Sequence, residues 1–204
     1  NRNIYFQALD ANYMAIQTER TYVNYMPGEV RSCIGCHEHR NSSPETLTAP
    51  LAARRAPSPI TPGPEGALLL RYDALVQPVL DQQCVRCHNP QNDDSPAAKQ
   101  VDLTAAASYR ALLEYAGGDL RKLVFERDYS EAYRGPSLDS RLLKHLATHA
   151  AHRKLKLTDS DRRRLYAWMD TYGHTQGCFS PRQERELVTW IEQSGELFTR
   201  APNP

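Results

Sequence analysis

Two copies of one five-residue pattern, Cys33-Ile34-Gly35-Cys36-His37 and Cys84-Val85-Arg86-Cys87-His88, constrain this chain more than any other feature. Cysteines three apart lie on one side of a helical turn, and the His one step further on is aimed at whatever the thiols hold. This is the attachment pattern of c-type haem, in which both thiols form thioethers to the porphyrin and the His gives iron one axial nitrogen. A zinc site would use all four thiols and leave no reason for a His after each pair. The pattern therefore predicts two covalently attached c-type haems, held at Cys33, Cys36, Cys84 and Cys87, with His37 and His88 as proximal iron ligands.

Composition fits a fold built around such groups. The chain has 204 residues, 40% of them hydrophobic and only four Phe. Two macrocycles would supply apolar surface that the side chains lack. A formal charge of +1 offers no basic field for nucleic acid. No apolar run approaches the length of a membrane span. The motifs use four of the five cysteines and leave Cys178, so no disulfide within the chain is expected beside two haems. Covalent haem attachment is an extracytoplasmic chemistry in bacteria, which predicts a periplasmic, cell-surface or extracellular protein. The sequence opens at Asn1 without a signal peptide, which reads as a processed product or the C-terminal part of something longer.

Three stretches follow in order. Residues 1–40 hold an extended segment and the first motif: Ile4, Phe6 and Ala8 alternate with Tyr5, Gln7 and Leu9, Asp10-Ala11-Asn12 can turn, and Pro27-Gly28 ends the segment. A lone ribbon of this size needs something to pack on. Residues 41–66 carry Pro44, Pro50, Pro57, Pro59, Pro62 and Pro64 and read as an extended linker, with Arg54 and Arg55 available to haem propionates or to solvent. Residues 67–204 read as helical. Helices are predicted from Pro78 into Cys84, over Ala105–Ala116 with Gly117-Gly118 as the stop, over Leu138–Thr148, from the Thr158/Asp161 cap through Leu165, Trp168, Met169 and Tyr172, and from the Ser180-Pro181 cap to Gly195. The expected fold is mainly α: a cytochrome c-like helical haem domain preceded by a short β ribbon and a long proline-rich linker.

The residues also carry a resemblance. Ile4-Tyr5-Phe6-Gln7-Ala8-Leu9-Asp10, Met26-Pro27-Gly28-Glu29 and Ser32-Cys33-Ile34-Gly35-Cys36-His37-Glu38 resemble the junction in hydrazine synthase alpha-subunit-like proteins, where a β-rich, propeller-bearing region runs into a haem motif. Val76-Gln77-Pro78-Val79-Leu80 before the second motif is similar to the planctomycete-type cytochrome motif of those proteins. His152 with Lys156-Leu157-Thr158, then Leu165-Tyr166-Ala167-Trp168-Met169-Asp170, match its later pattern. The resemblance implies a C-terminal dihaem cytochrome region, with the His before Lys-Leu as distal ligand of the second haem. The propeller is absent apart from what reads as its last hairpin, so synthase activity is not carried over.

Axial ligands decide the function. His152 is the chosen distal ligand of the second haem and His149 the runner-up; His145, His149 and His152 stand at i, i+4 and i+7, on one face if a single helix spans them. For the first haem His174, on a loop between two helices, is the candidate sixth ligand. His39 lies too close to His37 to reach the other side of the same ring, and Met14, Met26 and Met169 read as packing residues. Two nitrogen ligands make a closed, low-potential iron suited to electron transfer. The expectation is a dihaem electron carrier that meets redox partner proteins and self-associates, as a repeating multi-haem assembly or filament. The alternative is the cytochrome module of a larger haem oxidoreductase, hydrazine synthase-like or peroxidase-like, with an open first haem.

Overall fold

The computed structural model describes residues 3–19, 23–29, 54–64, 66, 68, 70–126, 131–175, 182, 185, 186 and 189. The first motif with His39, most of the linker, Cys178 and the body of the last expected helix lie outside these residues.

The ribbon forms as four short strands. β1 (Asn3–Ile4) pairs antiparallel with β4 (Val23–Asn24), and β2 (Gln7–Leu9) with β3 (Ala15–Thr18), with an irregularity between Ala8 and Leu9. Asp10 closes the tip by accepting the backbone N–H groups of Asn12 and Met14 at 2.8 and 2.9 Å. Ile4, Phe6 and Ala8 face solvent, whereas Tyr5 and Gln7 on the alternate positions are half-buried. The ribbon's neighbour is the helical body. Ala15 is 1% exposed, its N–H donates to Asp170 Oδ2 at 2.9 Å, and Gln7 Nε2 donates to the Asp170 carbonyl at 2.6 Å. Met26 is 59% exposed, so it is not the packing residue its type suggests.

The described residues of the linker, 54–64 and 66, are exposed and have no α-helix or strand, only a 3₁₀ position at Arg54 and a bridge between Gly63 and Gly66. In this described part Pro57, Pro59, Pro62 and Pro64 remove N–H donors that a helix or strand would need.

The body begins with α1 (Tyr72–Leu75) and α2 (Gln77–Gln83), which meet at Val76. α2 starts one residue before Pro78, whose missing N–H costs nothing in a first turn. After α3 (Pro96–Lys99) comes α4 (Ser108–Arg121), then a π-helical turn, Lys122–Glu126. The expected 105–116 helix is corrected at both ends. It starts at Ser108, and the break begins at Tyr115 (ψ 139°), before Ala116, Gly117 and Gly118 take positive φ of 55°, 74° and 77°. Helix resumes beyond the glycines because Gly enters the left-handed region without steric cost and the chain then returns.

The expected Leu138–Thr148 helix is two helices, α5 (Pro136–Asp139) and α6 (Arg141–Thr148). Ser140 divides them with ψ 125°, and its hydroxyl caps the second by accepting from Leu142 N–H at 3.2 Å. α7 (Asp159–Asp170) starts with the expected capping box between Thr158 and Asp161. Tyr172 lies beyond α7 with φ 67°, so the apolar face ends one turn earlier than expected.

α7 is central. Leu165, Tyr166, Trp168 and Met169 are 8% exposed or less and pack with Tyr72, Leu75, Val76, Val79 and Leu80 of α1–α2 and Leu112, Leu113 and Leu120 of α4. Tyr72 meets Trp168 edge-on at 5.2 Å, a favoured aromatic geometry. The architecture is helix-rich with two small antiparallel sheets. No helix among the described residues is long and apolar enough to cross a membrane.

Candidate haem-binding site

The second motif is shaped by the end of α2. The Cys84 N–H still bonds Leu80 O at 2.8 Å, and Cys87 and His88 then both donate to Cys84 O at 3.0 and 2.9 Å. The chain thus coils once more as an irregular turn. A helix end leaves carbonyls without partners, and here two asparagines meet that need. Asn89 Nδ2 donates to Val85 O at 2.7 Å and Asn92 Nδ2 to Cys87 O at 2.6 Å. Further back, Gln77 Nε2 donates to Leu103 O at 3.3 Å and Ser108 Oγ to Gln77 Oε1 at 2.6 Å, tying α2 to the start of α4.

Both thiols of this turn are free, with Cys84 half-buried and Cys87 exposed. Burial pushes the Cys84 thiol up to about 11, with Cys87 and then Asp161 adding to the effect. A redox-active dithiol needs a depressed thiol pKa. Burial works against the thiolate form at Cys84.

His88 is held at backbone and side chain. Its carbonyl accepts from Leu103 N–H at 3.0 Å, and its Nδ1 lies 3.1 Å from Ala98 O. A carbonyl only accepts, so Nδ1 is the donor in this contact and Nε2 is the nitrogen left for a metal. Such a bond to the remote nitrogen orients a metal-ligating His and raises its basicity.

Three further histidines gather beside it. The His88 and His152 ring centres are 5.8 Å apart with planes 26° from parallel. A metal about 2 Å from each of two imidazole nitrogens puts the ring centres roughly 6 Å apart, so this pair has the spacing for one shared metal. His145 lies 4.7 Å from His149 and 4.8 Å from His152, and His149 lies 5.1 Å from His152. Nitrogens of His145, His149 and His152 all fall within 4.8 Å of one another.

The expected single helix face is not how these three meet. α6 ends at Thr148, His149 is extended (ψ 132°), and His152 opens a 3₁₀ turn, His152–Lys154. Reversal of the chain, not helical periodicity, brings His152 back. Burial, then the neighbouring histidines, lowers the pKa of both His145 and His152. Neutral imidazole is the form that ligates metal. His152 Nδ1 is buried without a hydrogen-bond partner.

A groove of about 580 Å³, open to solvent, has His152 in its lining. Leu143, Leu155, Leu157, Leu165 and Tyr166 are among its apolar walls. The two thiols and the imidazole pair are the donor types that covalent haem uses, and the groove adds apolar surface next to His152.

His174 sits in the loop after α7. Its carbonyl accepts from Trp168 Nε1 at 3.0 Å, its ring is 6.1 Å from Tyr172, and burial lowers its pKa. Cys33, Cys36 and His37 lie outside the described residues, so the structure describes no relation between His174 and the first motif. Sequence reasoning missed the Ala98 carbonyl, which has no signature in residue type, and Asn89 and Asn92, whose place just after the motif was a usable cap signal.

In comparison with known proteins, residues 1–38 match the family model of the hydrazine synthase alpha subunit middle domain. That match spans the ribbon and the first motif and stops before the helical body that carries His88 and His152. No curated protein and no solved structure matches the chain.

Proposed function

We propose that this protein is an extracytoplasmic dihaem c-type cytochrome that carries electrons. The observation that supports it most is the placing of His152 opposite His88, directly beside the Cys84–Cys87 turn. Covalent haem supplies a one-electron ferric–ferrous couple. Cys84 and Cys87 would tether it, His88 and His152 would be its iron ligands, and the Ala98 carbonyl, 3.1 Å from His88 Nδ1, would hold the His88 ring as the charge changes. An iron closed on both faces by imidazole is a carrier rather than a site of small-molecule chemistry. Cys33, Cys36 and His37 hold the first haem by the same pattern, with His174 as candidate sixth ligand.

Spectroscopy of the purified native protein tests this reading. The expected result is an intact mass two haems above that of the polypeptide and a low-spin ferric spectrum for the second haem, with no carbon monoxide adduct there on reduction. A high-spin second haem that binds carbon monoxide would overturn the carrier role.

The exposed apolar side chains Ile4, Phe6 and Leu9 of the ribbon support self-association into a repeating assembly. Negative-stain images of native material showing only small discrete particles would remove that part of the proposal.

A second reading rests on the His145, His149 and His152 cluster, whose nitrogens suit a divalent transition metal held by three imidazoles with one open position. It competes with the first for His152. Elemental analysis finding stoichiometric zinc or copper, together with no haem at Cys84 and Cys87, would favour it.

A further inference from the structure

The groove beside His152 has one-sided charge. Its charged walls are Lys144, Arg153 and Arg162, and none of its lining residues is a carboxylate. Lys144 Nζ donates to the Asp139 carbonyl at 3.3 Å. Arg153 and Arg162 have backbone hydrogen bonds only, at 2.9 and 3.1 Å, and neither guanidinium has a partner among the described residues. By contrast Arg55, one of the two linker arginines, is committed to Ser58 Oγ at 2.6 Å.

An apolar floor with two unpartnered guanidinium groups suits a flat, apolar ligand that carries carboxylates on one edge. Guanidinium is the side chain best shaped to take a carboxylate, through two parallel N–H groups. The groove shares His152 with the imidazole pair, and neither Cys84 nor Cys87 lines it, as expected for the edge of a haem opposite its thioethers. We infer that this groove takes the propionate-bearing edge of the second haem, with Arg153 and Arg162 as the carboxylate partners. The assignment rests on the haem reading above and adds the residues that set the electrostatic field at that haem. Fixed positive charge near the propionates disfavours the ferric state, whose iron carries the greater charge.

The midpoint potential of the second haem in the full-length holoprotein is the test. Arg153→Gln and Arg162→Gln should each shift it downward, and Arg153→Lys and Arg162→Lys should recover most of the loss. Arg163→Gln is the control for charge alone. Arg163 lies 5.4 Å over the Tyr13 ring and lines a different groove, so its loss should leave the potential nearly unchanged. Equal shifts in all three Gln variants, or none in any, would overturn the assignment while leaving the haem itself in place. Should either Gln variant fail to retain haem, retention by the matching Lys variant supports the assignment and loss in both counts against it. A wild-type mass lacking haem at Cys84 and Cys87 would remove the underlying reading and this inference together.

Discussion

The imidazole of His88 faces that of His152 across 5.8 Å, although 63 residues of chain lie between them and the described part of that chain includes the four helices α3 to α6. His149 is only 5.1 Å from His152, so two histidines compete for the same position. His152 is the ring adjoining His88 and is partly buried, whereas His149 is exposed. Under the proposed dihaem reading, His152→Ala is expected to turn the second haem high-spin and open it to carbon monoxide, while His149→Ala leaves it low-spin. Ferric electron paramagnetic resonance of the two variants reads the difference directly.

Gly135 tests the ribbon's seat. A Cβ built there lies 2.5 Å from Ala15 O, a backbone atom with no room to yield. Its φ of −63° is ordinary, so the constraint is steric and not conformational. Gly135→Ala should destabilise the fold by about 1–3 kcal/mol, the usual cost of overpacking. Chemical denaturation measures the loss, and limited proteolysis should show faster cutting within the ribbon.

Asp170 joins the ribbon and the helices through one carboxyl group. Oδ1 accepts Ser137 N–H at 2.9 Å, and Oδ2 accepts Ala15 N–H at 2.9 Å and Ser137 Oγ–H at 2.6 Å. Asp170→Asn turns an N–H toward one of these donors and should cost about 1–3 kcal/mol. Burial raises the carboxyl pKa above its ordinary 3.8, against the lowering effect of the hydrogen bonds from Ser137 and Ala15. Within that window the folded state holds a proton that the unfolded chain has released, so this group's contribution to stability falls as pH rises from 3.8. Unfolding free energies measured across acidic pH should show that slope in the wild type and lose it in Asp170→Asn.

The Thr158 cap offers a milder probe. Its hydroxyl accepts Asp161 N–H at 3.1 Å while Asp161 Oδ2 accepts Thr158 N–H at 2.9 Å. Thr158→Ala should lower stability by about 1 kcal/mol. Thermal unfolding followed by circular dichroism checks it, with Thr158→Ser expected to retain most of the stability.

Local chemistry made much of the fold legible before any coordinates. The Thr158/Asp161 box announces α7, Pro78 announces α2, and the alternation at Ile4–Leu9 announces the ribbon, because each signal acts over a few residues. Boundaries inside apparently regular stretches were not legible. Ser140 reads as a helical position until its hydroxyl is seen capping the next helix, and Ala116 turns left-handed ahead of the glycines that were expected to do so. The gathering of His145, His149 and His152 had the correct members for an incorrect reason, since it depends on a chain reversal that no periodicity encodes. The Ala98 carbonyl and the Arg153/Arg162 groove depend on tertiary placement, to which residue spacing is blind.

α7 spans 12 residues and so runs about 18 Å at 1.5 Å per residue. Its last residue, Asp170, clasps the ribbon, and its first turn carries Asp161, whose charge reaches Cys84. The helix is thus a strut with the ribbon bolted to one end and the second motif resting near the other. The ribbon is thereby fastened to the end of a rigid helix rather than to a loop.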